Sequence, residues 1–305
     1  MNFVPKGIVL PVVTPTDENG LFSESRYRRL LRFWMENGVH GVFPFGTTGE
    51  FYAFEDDVLR RMIEISLEES EGRLTVYAGA NHITPGGVLK LARLAEKAGA
   101  AALSVLTPMF VSQTQEELFH YYRTIAEGTP LPIIIYDNKT KTNVHVQPET
   151  VARLAEIPNI VALKDSTGDM TNTEECVRLT RHMGDFHVLM GRDTTIFAGL
   201  HYGCTGAITS CGNIAPRVAV DIYEKYIGGD MEGALEAQFR LSRLRVATNM
   251  ATFPVVIKEG LRMIGQEAGD CQAPVLPLNE SQREKLRAVL REIGLLHPLF
   301  AGVSG

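Results

Sequence analysis

Eight short apolar, β-rich runs alternate along this chain with longer helical patterns, and that alternation limits the fold more than any other feature. The strand-like runs cover residues 8–13, 39–45, 74–78, 101–106, 132–136, 160–164, 186–190 and 205–208. The helical patterns between them cover 25–37, 55–69, 88–98, 115–126, 148–155, 173–182, 194–200 and 216–226. Strand–helix pairs in series imply parallel strands joined by right-handed crossovers. Eight is also the number that closes a (β/α)8 TIM barrel. An open doubly wound sheet fits less well, because Pro11-Val12-Val13-Thr14-Pro15 replaces the glycine-rich turn such sheets usually carry after the first strand. Gly228-Gly229 then breaks the alternation, and only helical patterns follow, at 231–245, 255–264 and 281–293. The expected architecture is an α/β fold: a barrel over residues 1–226 and a small C-terminal helical extension over 227–305.

Composition removes several function classes. With 45% hydrophobic and 22% charged residues the chain has a globular balance, not that of a disordered segment. The net charge of −6 argues against a nucleic-acid partner. No run of about 18 apolar residues predicts a membrane span. The opening Met1-Asn2-Phe3-Val4-Pro5-Lys6 lacks the pattern of a secretory signal. Cys176, Cys204, Cys211 and Cys271 show no CxxC spacing, so a reduced, cytoplasmic protein is expected. His40, His82, His120, His145, His182, His187, His201 and His297 are scattered without ligand spacing, and no metal is expected.

In such barrels chemistry sits at the carboxyl ends of the strands. Lys164 ends the apolar run from Ile160, and period two puts Ile160, Ala162 and Lys164 on one face. Most lysines are solvated. One facing a barrel interior is different: burial disfavours its ammonium, and a neutral amine forms Schiff bases with carbonyl compounds. Tyr136 ends the neighbouring strand on the same face as Ile134, where a phenol can move protons beside the amine. A core tyrosine bonded to backbone is the plainer reading of that residue taken alone. The loop Gly46-Thr47-Thr48-Gly49-Glu50 offers amides and hydroxyls suited to a carboxylate and lacks the Gly-Lys-Ser/Thr of a phosphate loop. Its plainer reading is a tight turn shaped by its glycines.

Together with Pro11–Pro15, Gly46–Glu50, Tyr136, Ala162-Leu163-Lys164-Asp165-Ser166 and Gly206-Ala207-Ile208 with Asn213, nearly the whole chain resembles the dihydrodipicolinate synthase / N-acetylneuraminate lyase family of class I aldolases. The resemblance implies a homotetramer, a dimer of dimers, that needs no cofactor beyond a substrate Schiff base on Lys164. It implies proton transfer by Tyr136, a substrate carboxylate held at Thr47 and Thr48, and Ile208 backbone lining the same pocket. Synthases of the family carry two tyrosines where this chain has Met109 and Phe110, and an arginine where Lys141 stands. Phe51, Asp56 and Pro85 replace small or polar groups of the lysine-feedback site, so no feedback by lysine is expected. These departures point to a lyase or aldolase acting on pyruvate or another 2-oxo acid. It would cleave or dehydrate a hydroxylated 2-oxo acid such as a 2-keto-3-deoxy sugar acid, with Ser166, Asp193, Thr194 and Ser210 near the polyol tail. The alternatives are the synthase reaction, condensing pyruvate with aspartate semialdehyde, and a non-catalytic barrel that binds a 2-oxo acid.

Overall fold

The computed structural model describes residues 3–296. Eight parallel strands close into a barrel in sequence order: β1 (Gly7–Leu10), β2 (Gly41–Val42), β3 (Thr75–Gly79), β4 (Ala102–Leu106), β5 (Ile133–Asp137), β6 (Ile160–Asp165), β7 (His187–Met190) and β8 (Gly206–Ile208), with β8 paired to β1. The helices follow as α1 (Glu24–Glu36), α2 (Asp56–Ser70), α3 (Pro85–Ala98), α4 (Gln115–Glu127), α5 (Lys139–Thr142), α6 (Pro148–Ala155), α7 (Met170–Thr180), α8 (Ile196–Tyr202), α9 (Pro216–Ile227), α10 (Met231–Ala247), α11 (Val255–Met263) and α12 (Glu280–Glu292).

The first two strands are shorter than their apolar runs. Pro11 and Pro44 lack the N–H that a ladder needs, so β1 and β2 stop before them. Closure depends on Gly206, where a Cβ would stand 2.2 Å from the Gly7 carbonyl oxygen. Helix starts follow local chemistry. Thr114 and Glu117 form a capping box on α4, and Asn279 and Gln282 form one on α12. Asp169 accepts from the amides of Thr171 and Asn172, which starts α7 at Met170, three residues before the apolar pattern does.

Two apolar layers hold the barrel. Val9, Phe43, Tyr77, Ala102, Ile134, Ala162, Leu189 and Ile208 fill its interior. A larger cluster, including Leu10, Leu30, Trp34, Ile63, Leu103, Ile135 and Leu163, lies between strands and helices. Ile160 belongs to that outer cluster, so it does not share the inward face of Ala162 and Lys164. The reason is a register shift: Ile133 pairs with Ile160, but Ile134 pairs with Ala162, leaving Val161 as the extra residue of a bulge. Beyond the shift Tyr136 stands opposite Lys164, and Asp137 opposite Asp165.

The helices after α9 reach the carboxyl end of the barrel. Gln238 on α10 donates to the Asp193 carbonyl at 2.8 Å and accepts from the Phe197 amide at 2.8 Å, fixing the helix to the segment after β7. Lys258 on α11 pairs with Glu50 at 2.8 Å, with both side chains at 2% exposure or less. Among the described residues no helix is long and apolar enough to cross a membrane.

Candidate active site

A cavity of about 450 Å³ opens at the carboxyl ends of the strands. Lys164 and Tyr136 form its base, each 3% exposed. Alternation along β5 and β6 turns these two side chains inward and sends their neighbours, Asp137 and Asp165, outward. The outward carboxylates tie down the loops that follow. Asp165 accepts from Thr167, Asn172 and Thr173 at 2.6–3.0 Å. Asp137 accepts from the Val146 amide at 3.3 Å and lies 2.6 Å from His145 Nδ1.

The lysine Nζ lies 3.7 Å from the Tyr136 ring centroid and 5.1 Å from that of Phe43. Burial holds its pKa below the ordinary lysine range, although the nearby phenol opposes this. The Tyr136 hydroxyl meets Thr47 Oγ1 at 3.3 Å and accepts from Asn138 Nδ2 at 2.9 Å. Burial raises the phenol, and the combined pull of Lys164, Thr47 and Asn138 outweighs it, leaving the hydroxyl below its usual range. One buried amine and one buried phenol therefore face each other, burial disfavouring the charged form of each and each favouring the other's charged form.

The Gly46–Glu50 loop forms the facing wall. Thr14 Oγ1 donates to the Gly49 carbonyl at 2.7 Å. Glu50, at a positive φ of 52°, is held by Lys258 and by the Gln272 amide at 2.8 Å. Thr47 and Thr48 line the cavity. Gly46 is buried behind them, where a Cβ would stand 3.1 Å from the Phe43 ring, so its contribution is loop shape. Ile208, Ser166, Asp193, Ser210 and Lys141 also line the cavity. The first four polar or apolar groups are not equally free. Ser166 Oγ donates to the Gly191 carbonyl at 3.2 Å, and Asp193 accepts from Thr209, Ser210 and the Cys211 amide.

Met109 and Phe110 lie outside this cavity. Met109 lines a second one of about 290 Å³ with Phe51, Asp56, Asn81, His82 and Ile83, while Pro85 opens α3. Phe110 is 94% exposed at a φ of 77°. Among the cavity residues given no role from the sequence are Asn138, Arg192, Arg245 and Asn249. Asn138 had a signal, since it is two residues from Tyr136 and shares its parity. Arg192 stands beside Asp193 at a strand end. Arg245 lies in the last turn of α10 and Asn249 in the short turn after it, where nothing local announces a site. Among the described residues no group of three or more His, Cys, Asp or Glu is arranged to hold a metal. His297 and the first two residues lie outside the described residues.

The sequence pattern of the dihydrodipicolinate synthetase family matches residues 4–293. The 4-hydroxy-tetrahydrodipicolinate synthase of Thermodesulfovibrio yellowstonii is 35% identical over 292 residues, covering 95% of this chain and 99% of the relative. The crystal structure of the dihydrodipicolinate synthase from Thermotoga maritima superposes with a TM-score of 0.92 at 34% identity, over 95% of this chain and 99% of the other. The synthase of Acinetobacter baumannii complexed with pyruvate gives a TM-score of 0.91 at 28% identity over 95% and 99%. Pattern, relatives and barrel agree over nearly the full length, and the chain belongs to the dihydrodipicolinate synthetase family of Schiff-base lyases.

Proposed function

We propose that Lys164 forms a Schiff base with the keto carbon of pyruvate or a longer 2-oxo acid and makes or breaks a carbon–carbon or carbon–oxygen bond through the resulting enamine. The observation that carries this is the buried amine 3.7 Å from the Tyr136 ring, with its ammonium disfavoured by burial. The neutral amine attacks the carbonyl to give a carbinolamine. Water leaves as an iminium forms, and the hydroxyl of Tyr136 supplies and recovers the protons. Thr47 and Thr48 hold the substrate carboxylate, with the Ile208 backbone beside it. The iminium then accepts the electron pair released when a proton leaves C3 or when the C3–C4 bond breaks. No cofactor enters these steps.

Two net reactions use this intermediate. The names of the relatives favour condensation of pyruvate with aspartate semialdehyde. Met109 and Phe110 favour cleavage or dehydration of a hydroxylated 2-oxo acid, because neither side chain carries the proton-passing hydroxyl of the tyrosines that synthases of the family have there. Side-by-side assays decide: pyruvate consumption with aspartate semialdehyde against pyruvate release from 2-keto-3-deoxy sugar acids. Turnover in the first alone supports the synthase reading; turnover in the second alone supports the lyase reading. Saturable pyruvate binding without turnover in either supports a binding protein.

The same reading takes the protein as a homotetramer. Phe110, Val111, Tyr52 and Ile83 are exposed at 94%, 55%, 58% and 40% on one side of the barrel mouth, an apolar surface suited to a second copy. Sedimentation equilibrium tests this directly.

A further inference from the structure

Asp137 is a buried carboxyl on the outer face of β5, 1% exposed, and the reaction above makes no use of it. Such a group is costly to bury unless its oxygens find donors. Oδ2 finds two: His145 Nδ1 at 2.6 Å and the Val146 amide at 3.3 Å. Oδ1 has no hydrogen-bond partner among the described residues. Both donors come from consecutive residues, so the hydrogen bonds of this carboxyl do one thing. They close residues 138–144 into a loop. His145 keeps 26% of its side chain exposed, and the bond to Asp137 lifts its pKa. Burial lifts the Asp137 carboxyl, although His145 opposes this. The other titratable groups felt by the pair are Asp165 on β6, Lys139 on α5, Cys176 on α7 and Tyr122 on α4.

The closed loop is part of the active-site wall. Asn138, Thr140 and Lys141 line the cavity. Asn138 Nδ2 donates to the Tyr136 hydroxyl at 2.9 Å, and Thr140 Oγ1 donates to Asn138 Oδ1 at 2.9 Å, which sets the direction of the amide. The Asn138 carbonyl accepts from the amides of Lys141 and Thr142 at 2.8 and 3.1 Å. Thr142, 4% exposed, places its hydroxyl 2.9 Å from that of Thr107, just after β4, and accepts from the Val144 amide at 3.2 Å. A four-residue helix such as α5 has no stability of its own. It is held at its centre by Thr142 and at its neck by His145.

We propose that His145 is a positioning residue for the reaction at Lys164: by clasping Asp137 it keeps the loop closed and the Asn138 amide against the Tyr136 hydroxyl. The inference deepens the Schiff-base reading and rests on it for what that hydroxyl does. His145 reaches the reacting groups through Asn138 and not through space, so its loss acts as the loss of that amide acts. The amide favours the phenolate, because an N–H bonds more strongly to a charged oxygen. A loosened loop therefore sends the Tyr136 pKa upward.

Ultraviolet difference titration of tyrosinate tests this without a substrate, each variant being read against its own Tyr136→Phe counterpart. Burial pushes Tyr27, Tyr77, Tyr121 and Tyr122 upward. It raises Tyr136 too, but Lys164, Thr47 and Asn138 together outweigh it, so this hydroxyl titrates below the others. His145→Leu moves the Tyr136 midpoint up by about one unit, as far as Asn138→Ala does, and the double substitution adds nothing. His145→Asn, whose amide can stand where Nδ1 stands, restores the wild-type midpoint. Thr142→Val, nearly the same in size, loosens the loop from its centre and gives the same upward shift, which keeps the test decisive if His145→Leu does not fold. An unmoved midpoint in folded His145→Leu or Thr142→Val leaves a structural role alone and overturns the proposal. So do shifts that add in the double substitution, which mean a through-space charge effect, and His145→Asn behaving as His145→Leu does. Failure of the Schiff base looks different: pyruvate and borohydride leave no adduct on Lys164, while the Tyr136 midpoint still moves with His145.

Discussion

Two loops flank the mouth of the barrel, and they are built in opposite ways. The Gly46–Glu50 loop is tied down at its Gly49–Glu50 end. Thr14 holds Gly49, the Gln272 amide holds Glu50, and a buried ion pair joins Glu50 to Lys258, 208 positions along the chain. The loop after β4 presents Phe110 almost wholly to solvent, in a left-handed conformation that costs a non-glycine residue about 1–2 kcal/mol. Rigidity is placed at the loop to which the proposed reading gives the substrate carboxylate, and exposed apolar surface at the loop to which it gives a second copy. The difference teaches that one side of the mouth is fastened by distant parts of the chain, while the other leaves apolar side chains uncovered.

The sharpest way to break this contrast is at the held side. Tyr136→Phe removes the hydroxyl that faces Thr47, and kcat falls by about 10²–10⁴-fold if the phenol moves protons. A loss under tenfold in folded protein removes that role. The next largest effect is on stability. Glu50→Gln or Lys258→Met leaves a buried charge without its partner, at a cost of about 3–5 kcal/mol read from the urea midpoint. The double substitution costs less than either single one, because no unpaired charge remains, and KM for the 2-oxo acid rises in all three. Single costs under about 1 kcal/mol contradict a fastened loop.

A smaller effect concerns pH. Activity that needs the phenolate rises as pH passes through the Tyr136 pKa, which stands below the ordinary range because Lys164, Thr47 and Asn138 together outweigh burial. Asn138→Ala removes a donor to the phenolate, so the rise moves to higher pH by about one unit. An unmoved profile means the amide contributes packing alone. The smallest effect belongs to the exposed loop: Phe110→Ala changes the stability of a single chain by less than about 0.5 kcal/mol, while sedimentation shows weaker association. A large loss of single-chain stability, or association left intact, reverses the contrast.

The barrel was legible because each strand and helix announces itself within a few residues, as the apolar run before Lys164 and the proline that opens α6 show. Lys164 and Tyr136 were legible because alternation along a strand fixes which side chain turns inward. The bulge at Val161 was not, since it reflects how β6 meets β5 and leaves no mark in the order of apolar residues. The same holds for Glu50 and Lys258 and for Arg245, whose meaning comes from helices that fold back over the barrel. Asn138 was within reach: a polar residue two positions after an inward tyrosine can bond its hydroxyl. The α5 turn, Lys139–Thr142, was missed because four residues of lysine and threonine carry no helical period.

The central claim is the nucleophilic role of Lys164. Incubation with pyruvate, reduction with borohydride and peptide mass analysis test it most directly. A reduced pyruvyl adduct on Lys164, absent in Lys164→Met, is the predicted result. Folded protein that shows no adduct, or carries it on another lysine, contradicts the account.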